Sequence, residues 1–297
     1  MRSRERIRTR AVLLLLAAVA AGLATASCLS TRNFKDPAGP RYDGNYGAAA
    51  ARETAPPPPT SPWRVVTFNI AFAREIDRAL ALIRSDEAFQ ALDILMLQEM
   101  DSAGVERIAK ALGLNYVYYP SAVHPKHDRE FGSAILSPWP LTEYKKIPLP
   151  HAAFLTRASR AVTSAVVQRG SLRVRAYTVH LPAPGAVSYD QRKEQVRIMA
   201  ADAAKSGDLV VIGGDFNGRV VGGWFRDAGF LWLTEKLPGT ARGFGHWWSY
   251  DHVFARGLRP AASGSAAGAV DPAGASDHRA VWVLLEPATD VRTERKR

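Results

Sequence analysis

The sequence predicts an α/β fold in which two mixed β-sheets form a sandwich flanked by helices. Short β-rich runs alternate with helical patterns between residues 63 and 287, as is typical of α/β domains. The Gln-Arg-Gly-Ser segment at residues 168–171 places turn residues between two of these runs and so predicts a β-hairpin. Part of the sheet is therefore expected to be antiparallel, which disfavours a purely parallel doubly wound fold.

The predicted elements follow from the spacing of apolar residues. Helices have apolar positions at i, i+3, i+4 and i+7, and this pattern covers residues 76–83, 105–112 and 196–203. The β-rich runs are residues 65–70, 94–97, 116–119, 134–136, 162–167, 174–179, 209–212, 250–255 and 280–285. No repeat of fixed period is visible, so we expect one domain over residues 63–287.

The first 27 residues have the composition of an export signal. Five arginines and one glutamate lie among the first ten residues, and residues 11–26 carry no charge. This apolar run is shorter than the roughly 20 residues that cross a bilayer, so a permanent transmembrane helix is the weaker interpretation. We therefore expect a signal peptide over residues 1–27 and a protein that acts outside the cytoplasm.

Cys28 is the only cysteine of the chain and follows the predicted cleavage point. The Thr-Ala-Ser-Cys segment at residues 25–28 resembles the lipobox of bacterial lipoproteins, although Thr25 stands where leucine is usual. Ala-Thr-Ala at residues 24–26 also offers an ordinary cleavage site. Lipid anchoring at Cys28 is the favoured expectation and plain secretion, or release into the periplasm, is the alternative. An internal disulfide is excluded in either case.

Two segments beside the domain have the composition of disordered chain. Residues 28–62 are rich in Pro, Gly, Ala and Arg and include four consecutive prolines, so they are predicted to be a semi-extended tether. The charged residues 288–297 are predicted to be a disordered tail.

The formal net charge is +11, of which the leader contributes +4. The remaining +7 suits a phosphate-bearing substrate or an anionic membrane surface. Since no dense Lys/Arg run with interleaved aromatic residues is present, charge alone does not identify nucleic acid as the partner.

Polar and ionisable residues close several of the β-rich runs, where they are able to converge on one edge of a sheet. These segments are Thr-Phe-Asn at 67–69, Gln-Glu at 98–99, Val-His at 179–180, Gly-Asp-Phe-Asn at 214–217, Tyr-Asp-His at 250–252 and Ser-Asp-His at 276–278. In this order they resemble the endonuclease/exonuclease/phosphatase superfamily, which includes deoxyribonuclease I, exonuclease III, neutral sphingomyelinases and inositol polyphosphate phosphatases. The resemblance covers residues 63–287 and implies the four-layer deoxyribonuclease I-like sandwich and metal-dependent hydrolysis of phosphoesters.

The resemblance also implies the metal site. Glu99 is expected to be the principal ligand with Asn69 beside it, and a hard cation such as Mg²⁺ prefers carboxylate oxygens. Asp277 is expected to contribute to the metal or to positioning. Mn²⁺ and Ca²⁺ are the alternatives to Mg²⁺. Taken alone, Glu99 would be interpreted as a solvated acid at the end of a strand.

The catalytic roles are assigned in the same way. His278 is the expected general base, oriented by Asp251, since imidazole titrates near neutral pH. His180 is expected to contact the phosphate. Asp215 and Asn217 lie two residues apart on a segment predicted to be extended, so their side chains should face one ligand. Alternatively, these two residues merely cap a turn.

Three aromatic residues near these motifs have open roles. His252 is expected to be a bystander outside the site. Trp247 and Trp248 could stack on a base or enter a lipid interface, but core packing is the favoured interpretation.

The favoured function is hydrolysis of a phosphodiester by in-line attack of water, in a protein expected to be a monomer. Three substrate classes stay open: DNA or RNA, a phospholipid or sphingolipid headgroup, and a soluble phosphomonoester. The alternative from another class is a surface binding lipoprotein that has lost turnover.

Overall fold

The computed structural model describes residues 31–47, 61–124, 128–207, 209–262 and 264–288. Within these residues, two mixed β-sheets pack face to face and helices cover their outer faces. The α/β sandwich predicted from the sequence is therefore confirmed. The predicted leader at residues 1–27, Cys28 and nearly all of the predicted tail lie outside the described residues.

The first sheet contains eight strands in the described part of the chain, in the order β1-β4-β5-β3-β2-β16-β14, with β15 pairing β16. The strands are β1 (Tyr42–Gly44), β2 (Trp63–Asn69), β3 (Ile94–Met100), β4 (Asn115–His124), β5 (Arg129–Ser137), β14 (Leu258–Pro260), β15 (Ala267–Val270) and β16 (Ala280–Pro287). Strands β2 and β3 are parallel, and the other pairs are antiparallel.

The second sheet has the order β10-β13-β9-β8-β7-β6, and only β8 and β9 are parallel among its described strands. Its strands are β6 (Leu141–Pro148), β7 (Ala161–Arg169), β8 (Leu172–His180), β9 (Leu209–Asp215), β10 (Leu231–Trp232) and β13 (Asp251–Arg256). The predicted hairpin joins β7 to β8 through Gly170, whose φ of 59° suits glycine in a tight turn. A separate hairpin is formed by β11 (Ala241–Gly243) and β12 (His246–Trp248).

Four α-helices occur in the described residues: α1 (Ile76–Ser85), α2 (Ser102–Leu112), α3 (Tyr189–Ala204) and α4 (Val221–Asp227). The first three confirm the predicted helices, while the short α4 was not predicted. Local signals fix their ends, because Asp101 caps the first turn of α2 and Ser188 forms a capping box with Gln191 in α3. None of the helices that the structure describes is long and apolar enough to cross a membrane.

Three apolar clusters hold the layers together. Helices α1 and α2 bury their apolar faces against the first sheet, and α3 and α4 bury theirs against the second. The third cluster lies between the two sheets. Each sheet is covered on both faces, and its central strands are accordingly rich in buried apolar residues. The described strands of both sheets and all residues of the three clusters lie within residues 31–288, so we expect this part of the chain to fold by itself.

The N-terminal segment of residues 31–47 corrects the predicted tether of residues 28–62. Strand β1 pairs with the edge strand β4, Asn33 forms an isolated bridge with Ala122, and Thr31 Oγ1 donates to Thr156 O at 2.7 Å. This pairing supplies backbone partners to an edge that would otherwise be open. The sequence gives no signal for it, since a three-residue strand has no apolar period. Residues 48–60 of the predicted tether lie outside the described residues.

Candidate active site

Strands of both sheets end at one edge of the sandwich. Since β2 and β3 are parallel and β8 and β9 are parallel, their carboxyl ends place Asn69 and Glu99 from one sheet beside His180 and Asp215 from the other. A cavity of about 370 Å³ opens there and is lined by Glu99, His180, Asp215, Asn217 and His278 among others. The predicted site residues are thus brought to one place.

Glu99 reaches the cavity through an irregularity in β3. The register between β3 and β5 shifts between Leu97 and Met100, and Glu99 has a φ of 60°. A glutamate in this left-handed region is strained, and bulges of this kind re-aim side chains next to active sites. The regular pairing of β3 with β5 is therefore interrupted at Glu99, and this interruption directs the carboxylate at the cavity.

Asn69 links the two sheets at the site. Its Nδ2 donates to Glu99 Oε1 at 3.2 Å and to Asp215 Oδ2 at 3.0 Å, and its Oδ1 accepts from the backbone N–H of Ala71. The two carboxylates therefore share one amide as their donor. Burial raises the pKa of Glu99, and it raises the pKa of Asp215 to about 7.

His278 and Asp251 form a hydrogen-bonded pair. Nδ1–H of His278 donates to Asp251 Oδ2 at 2.8 Å, and its Nε2 lies 3.7 Å from Asp215 Oδ2. Burial lowers the pKa of His278, but the carboxylates of Asp251 and Asp215 outweigh this effect and raise the pKa to about 10. The second oxygen of Asp251 is buried and has no hydrogen-bond partner in the described residues.

Asn217 holds His180 in place. Its Nδ2 lies 3.0 Å from His180 Nε2 and donates to Leu181 O at 3.0 Å, while its backbone N–H donates to Asp215 Oδ1. Asp215 and Asn217 both line the cavity, but they do not lie on one extended segment as predicted. Strand β9 ends at Asp215, and Asn217 has a φ of 51° in the turn that follows. Burial lowers the pKa of His180 well below its usual value, so this ring is neutral.

Arg160 is the cavity residue that the sequence analysis missed. It lines the cavity, its buried Nε has no hydrogen-bond partner among the described residues, and its guanidinium lies 4.7 Å from the centre of the Phe131 ring. Burial lowers the pKa of Arg160, while the charges of Glu99 and Asp215 act in the opposite direction. A topological signal was present: in the predicted β7–β8 hairpin, the start of β7 must lie beside the end of β8, where His180 stands.

The donor set fits a hard divalent cation. Ligand atoms of Asp215, Asp251 and His278 lie within 4.8 Å of one another, and Glu99 and Asn69 adjoin Asp215. Buried carboxylates with raised pKa values need a compensating positive charge. Spacing alone selects Asp215, Asp251 and His278, but His278 and Asp251 already use one atom each in their hydrogen bond. The carboxylates of Glu99 and Asp215, which are hard oxygen ligands, are the better donors for such an ion.

Asp277 lies at the margin of this cluster. Its side chain is exposed, and its charge raises the pKa of both Glu99 and His278. The neighbouring Ser276 Oγ donates to Asn69 O at 2.6 Å and accepts from the backbone N–H of His278, which fixes the loop that carries the imidazole. The direct metal contact expected for Asp277 stays a prediction.

His252 is buried in the core, whereas Trp247 and Trp248 are exposed. His252 points away from Asp251 into the core, where Trp232 Nε1 donates to its Nδ1 at 3.4 Å. Trp247 and Trp248 lie on the β11–β12 hairpin and are 37% and 44% exposed. The core packing expected for this pair is therefore wrong, because the hairpin stands outside both sheets, and Trp248 lines the cavity.

A family model described as "Endonuclease/Exonuclease/phosphatase family" matches residues 66–278. No curated protein matches the sequence.

Similar solved structures share the fold at low identity. An endonuclease/exonuclease/phosphatase from Beutenbergia cavernae is 21% identical over 77% of this chain and 72% of its own, with a TM-score of 0.60. TDP2 from D. rerio, in complex with a single-strand DNA product, is 16% identical over 76% of this chain and 99% of its own, with a TM-score of 0.60. The mannosyl-6-phosphatase Bt3783 of Bacteroides thetaiotaomicron is 14% identical over 75% of this chain and 99% of its own, with a TM-score of 0.58.

Proposed function

The chain belongs to the endonuclease/exonuclease/phosphatase family, and from this premise and the geometry of its site we propose that it is a metal-dependent phosphoester hydrolase that prefers diesters. One observation carries the proposal: Glu99, Asp215, His278 and Arg160 line a single cavity, and buried atoms of Arg160, His180 and Asp251 have no hydrogen-bond partner in the described residues. Buried polar atoms of this kind are costly unless a ligand completes them.

Glu99 and Asp215 would hold the cation, with Asn69 and Asp277 beside them. Mg²⁺ is the favoured ion, and Mn²⁺ or Ca²⁺ suits the same oxygen donors. When bound, the cation supplies charge that neutralises the carboxylates and the phosphoryl oxygens.

The protein's own residues supply positioning and proton transfer. Asp251 holds Nδ1 of His278 and leaves Nε2 on the side of Asp215. The raised pKa of His278 would fall with a cation bound at Asp215, and the neutral Nε2 would then accept the proton of the attacking water. Arg160 offers an unpaired, buried guanidinium N–H to a phosphoryl oxygen. Neutral His180 and Asn217 contribute hydrogen bonds without charge, so the charge that develops in the transition state meets preorganised donors.

Phosphodiesters are the substrate class that we favour. Among the similar structures, one is named for a phosphatase and another holds a DNA product, and at 14–16% identity both inform only the fold. Diester hydrolysis is favoured because the cavity continues past the phosphate-sized cluster to Phe244 and Trp248, which leaves room for a second ester group. The alternatives are a phosphomonoester substrate and a binding lipoprotein without turnover.

The first experiment is a substrate panel with the folded part of the chain, residues 31–297. Plasmid DNA, RNA, phospholipid vesicles, inositol phosphates and bis(p-nitrophenyl) phosphate are each offered with Mg²⁺ and with EDTA. His278→Asn keeps an amide donor for Asp251 but removes the base, so kcat/KM should fall by at least roughly 10²-fold. Equal turnover in EDTA or in His278→Asn would refute the proposal, and binding without product would favour the lipoprotein alternative.

We also propose that the protein acts outside the cytoplasm, anchored by a lipid at Cys28 or secreted. The support is the leader composition and the position of this cysteine. Expression of the full chain with Cys28→Ser tests the anchor: the protein should move from the membrane fraction to the soluble exported fraction. A wild-type chain that is exported in soluble form would identify plain secretion.

A further inference from the structure

Three segments frame the mouth of the active-site cavity: residues 31–35, the loop at 151–160 and the β11–β12 hairpin at 241–248. We call these segments the rim. Thr31, Ala153 and Phe244 each line the cavity, one from each segment. The hairpin is also tied to the catalytic loop, since the N–H of Arg242 donates to Asp277 O and Ala241 bridges to His278.

The rim carries the most exposed large apolar side chains in the described residues. Phe154 is 75% exposed, Leu155 79% and Phe244 98%, whereas the next in order, Tyr189, is 59% exposed. Single exposed apolar residues are ordinary on a protein surface. Three of them on segments that border the same cavity favour a shared interaction surface at its mouth.

Phe244 stands in a backbone conformation that does not suit phenylalanine. It occupies the first position of a two-residue hairpin turn with a φ of 50°, followed by Gly245 with a φ of 77°. Asn-Gly is the favoured sequence in such a turn, and a bulky residue there costs folding energy. Strain of this kind persists where function requires the side chain.

The rim is basic as well as apolar. Its three segments contain Arg32, Lys35, Arg157, Arg160 and Arg242, and they contain neither aspartate nor glutamate. Apolar side chains interspersed with arginine and lysine suit an interface with anionic lipid headgroups. Binding of a water-soluble phosphate ester would explain the basic residues but not the exposed Leu155 and Phe154.

The N-terminal segment leaves the domain at this same rim. Thr31 is held by the loop through two hydrogen bonds to Thr156 O, and Asn33 Nδ2 donates to Arg157 O while its Oδ1 accepts from the N–H of Ser159. Two residues lie between Cys28 and Thr31, and the three residue-to-residue steps span at most about 11 Å when fully extended. A lipid on Cys28 would hold the cavity mouth at the bilayer surface.

From these observations we propose that the rim docks on a lipid bilayer and that the phosphoester hydrolysed in the cavity is presented by a lipid of that surface. The substrate class rests on the proposed phosphoesterase function, whereas the docking does not. Hydrolysis would break the ester bond between phosphorus and one oxygen, with water adding OH to phosphorus and a proton passing to the departing oxygen.

The test uses residues 31–297, which lack the leader and Cys28, in flotation with phosphatidylcholine vesicles that contain or lack phosphatidylglycerol. The wild type should float with the anionic vesicles. Phe154→Ser combined with Leu155→Ser, two substitutions at rim positions that do not line the cavity, should weaken vesicle binding at least roughly tenfold, since two exposed apolar side chains no longer enter the interface. Both positions are exposed and lie in a turn outside the strands and helices, so this variant should stay folded.

The matched control combines Val220→Ser with Leu231→Ser, two exposed apolar residues outside the cavity, and should float like the wild type. All three proteins should hydrolyse bis(p-nitrophenyl) phosphate equally, and only the rim variant should lose turnover on phospholipid in vesicles. Absence of wild-type flotation, equal loss in the control, or a loss of single-stranded DNA binding in place of vesicle binding would overturn the docking. Vesicle binding without hydrolysis of any panel substrate would instead refute the proposed function and leave the docking in place.

Discussion

The sandwich buries carboxylates at both of its ends, and the two ends differ in how completely hydrogen bonds satisfy the buried polar groups. At the end remote from the cavity, Asp93 accepts hydrogen bonds from Arg64 N, Trp139 Nε1 and Arg169, and Arg169 also donates to two backbone carbonyls. At the cavity end, Glu99 and Asp215 share one amide donor, and atoms of Asp251, His180 and Arg160 have no partner in the described residues.

This difference separates a structural ion pair from a functional site. Strands β2 and β3 run from one end to the other, so Arg64 and Asp93 mark the end where the carboxylate is satisfied, and Asn69 and Glu99 mark the other end. Burial raises the pKa of Asp93 and of Glu99 alike, so a raised pKa alone does not distinguish them. The number of hydrogen-bond partners does, because a complete network needs no ligand and an incomplete one does.

The largest expected effect is a loss of stability on substitution of Asp93, at the satisfied end. Asp93→Ala leaves the 6%-exposed Arg169 side chain buried without its counter-ion, so the free energy of unfolding should fall by about 3–5 kcal/mol. Urea denaturation measures this change. Turnover per folded molecule should match the wild type, since the pair lies at the opposite end from the cavity.

The control for this prediction is a double-mutant cycle. Asp93→Ala combined with Arg169→Met removes both charges, so the double variant should be more stable than the sum of the single effects predicts. A loss below about 1 kcal/mol in Asp93→Ala would mean that this pair does not support the fold and that the contrast between the two ends fails.

His252, a buried imidazole next to the site, gives a second prediction, which concerns the pH dependence of stability. His252 is fully buried, accepts a hydrogen bond from Trp232, and burial lowers its pKa to about 4. The unfolded chain therefore binds more protons between pH 6.5 and 4, so stability is present above pH 6.5 and is lost as pH falls through this window. By pH 4 the loss from this residue should reach about 3 kcal/mol.

His252→Phe isolates this contribution, because phenylalanine packs among Phe216, Trp232 and Phe254 without titrating. The stability difference between wild type and variant should change by about 3 kcal/mol from pH 7 to pH 4, measured by urea denaturation. A pH-independent difference would show that His252 is already charged or accessible in the native state.

The sequence predicted most of the fold and most of the site, for identifiable reasons. Strand ends carrying Asn69, Glu99, His180 and Asp215 could be located because apolar runs stop there, and the family resemblance supplied their roles. Arg160 escaped because a lone arginine before a strand has no local signature; only the register of β7 against β8 places it at the cavity.

Two other features depend on tertiary contacts that no local pattern encodes. The segment of residues 31–47 is ordered by an open strand edge contributed from residues 115–124. The tryptophans of β12 are exposed because their hairpin belongs to neither of the two large sheets, whereas other aromatic residues, such as Trp63 and Phe254, are buried in the core. Composition could not distinguish these two situations.

The smallest expected effect has the opposite sign to that of Asp93→Ala. Glu99→Gln keeps an oxygen for the amide of Asn69 and removes a buried charge that lies in a strained backbone. Folding raises the pKa of Glu99, which means that the ionised form is disfavoured in the native state, so at pH 8 without metal the variant should be more stable by about 1 kcal/mol. Thermal denaturation in EDTA measures this gain.

Addition of Mg²⁺ should then reverse the order of the two proteins. The wild type gains stability from binding, by about 2.7 kcal/mol at 100 times its dissociation constant, whereas Glu99→Gln lacks the carboxylate and gains little. Glu106→Gln, an exposed substitution on α2, serves as the matched control and should respond to Mg²⁺ like the wild type. If Glu99→Gln destabilised the protein in EDTA as Asp93→Ala does, the cavity end would be a structural network, and the distinction between the two ends would have no basis.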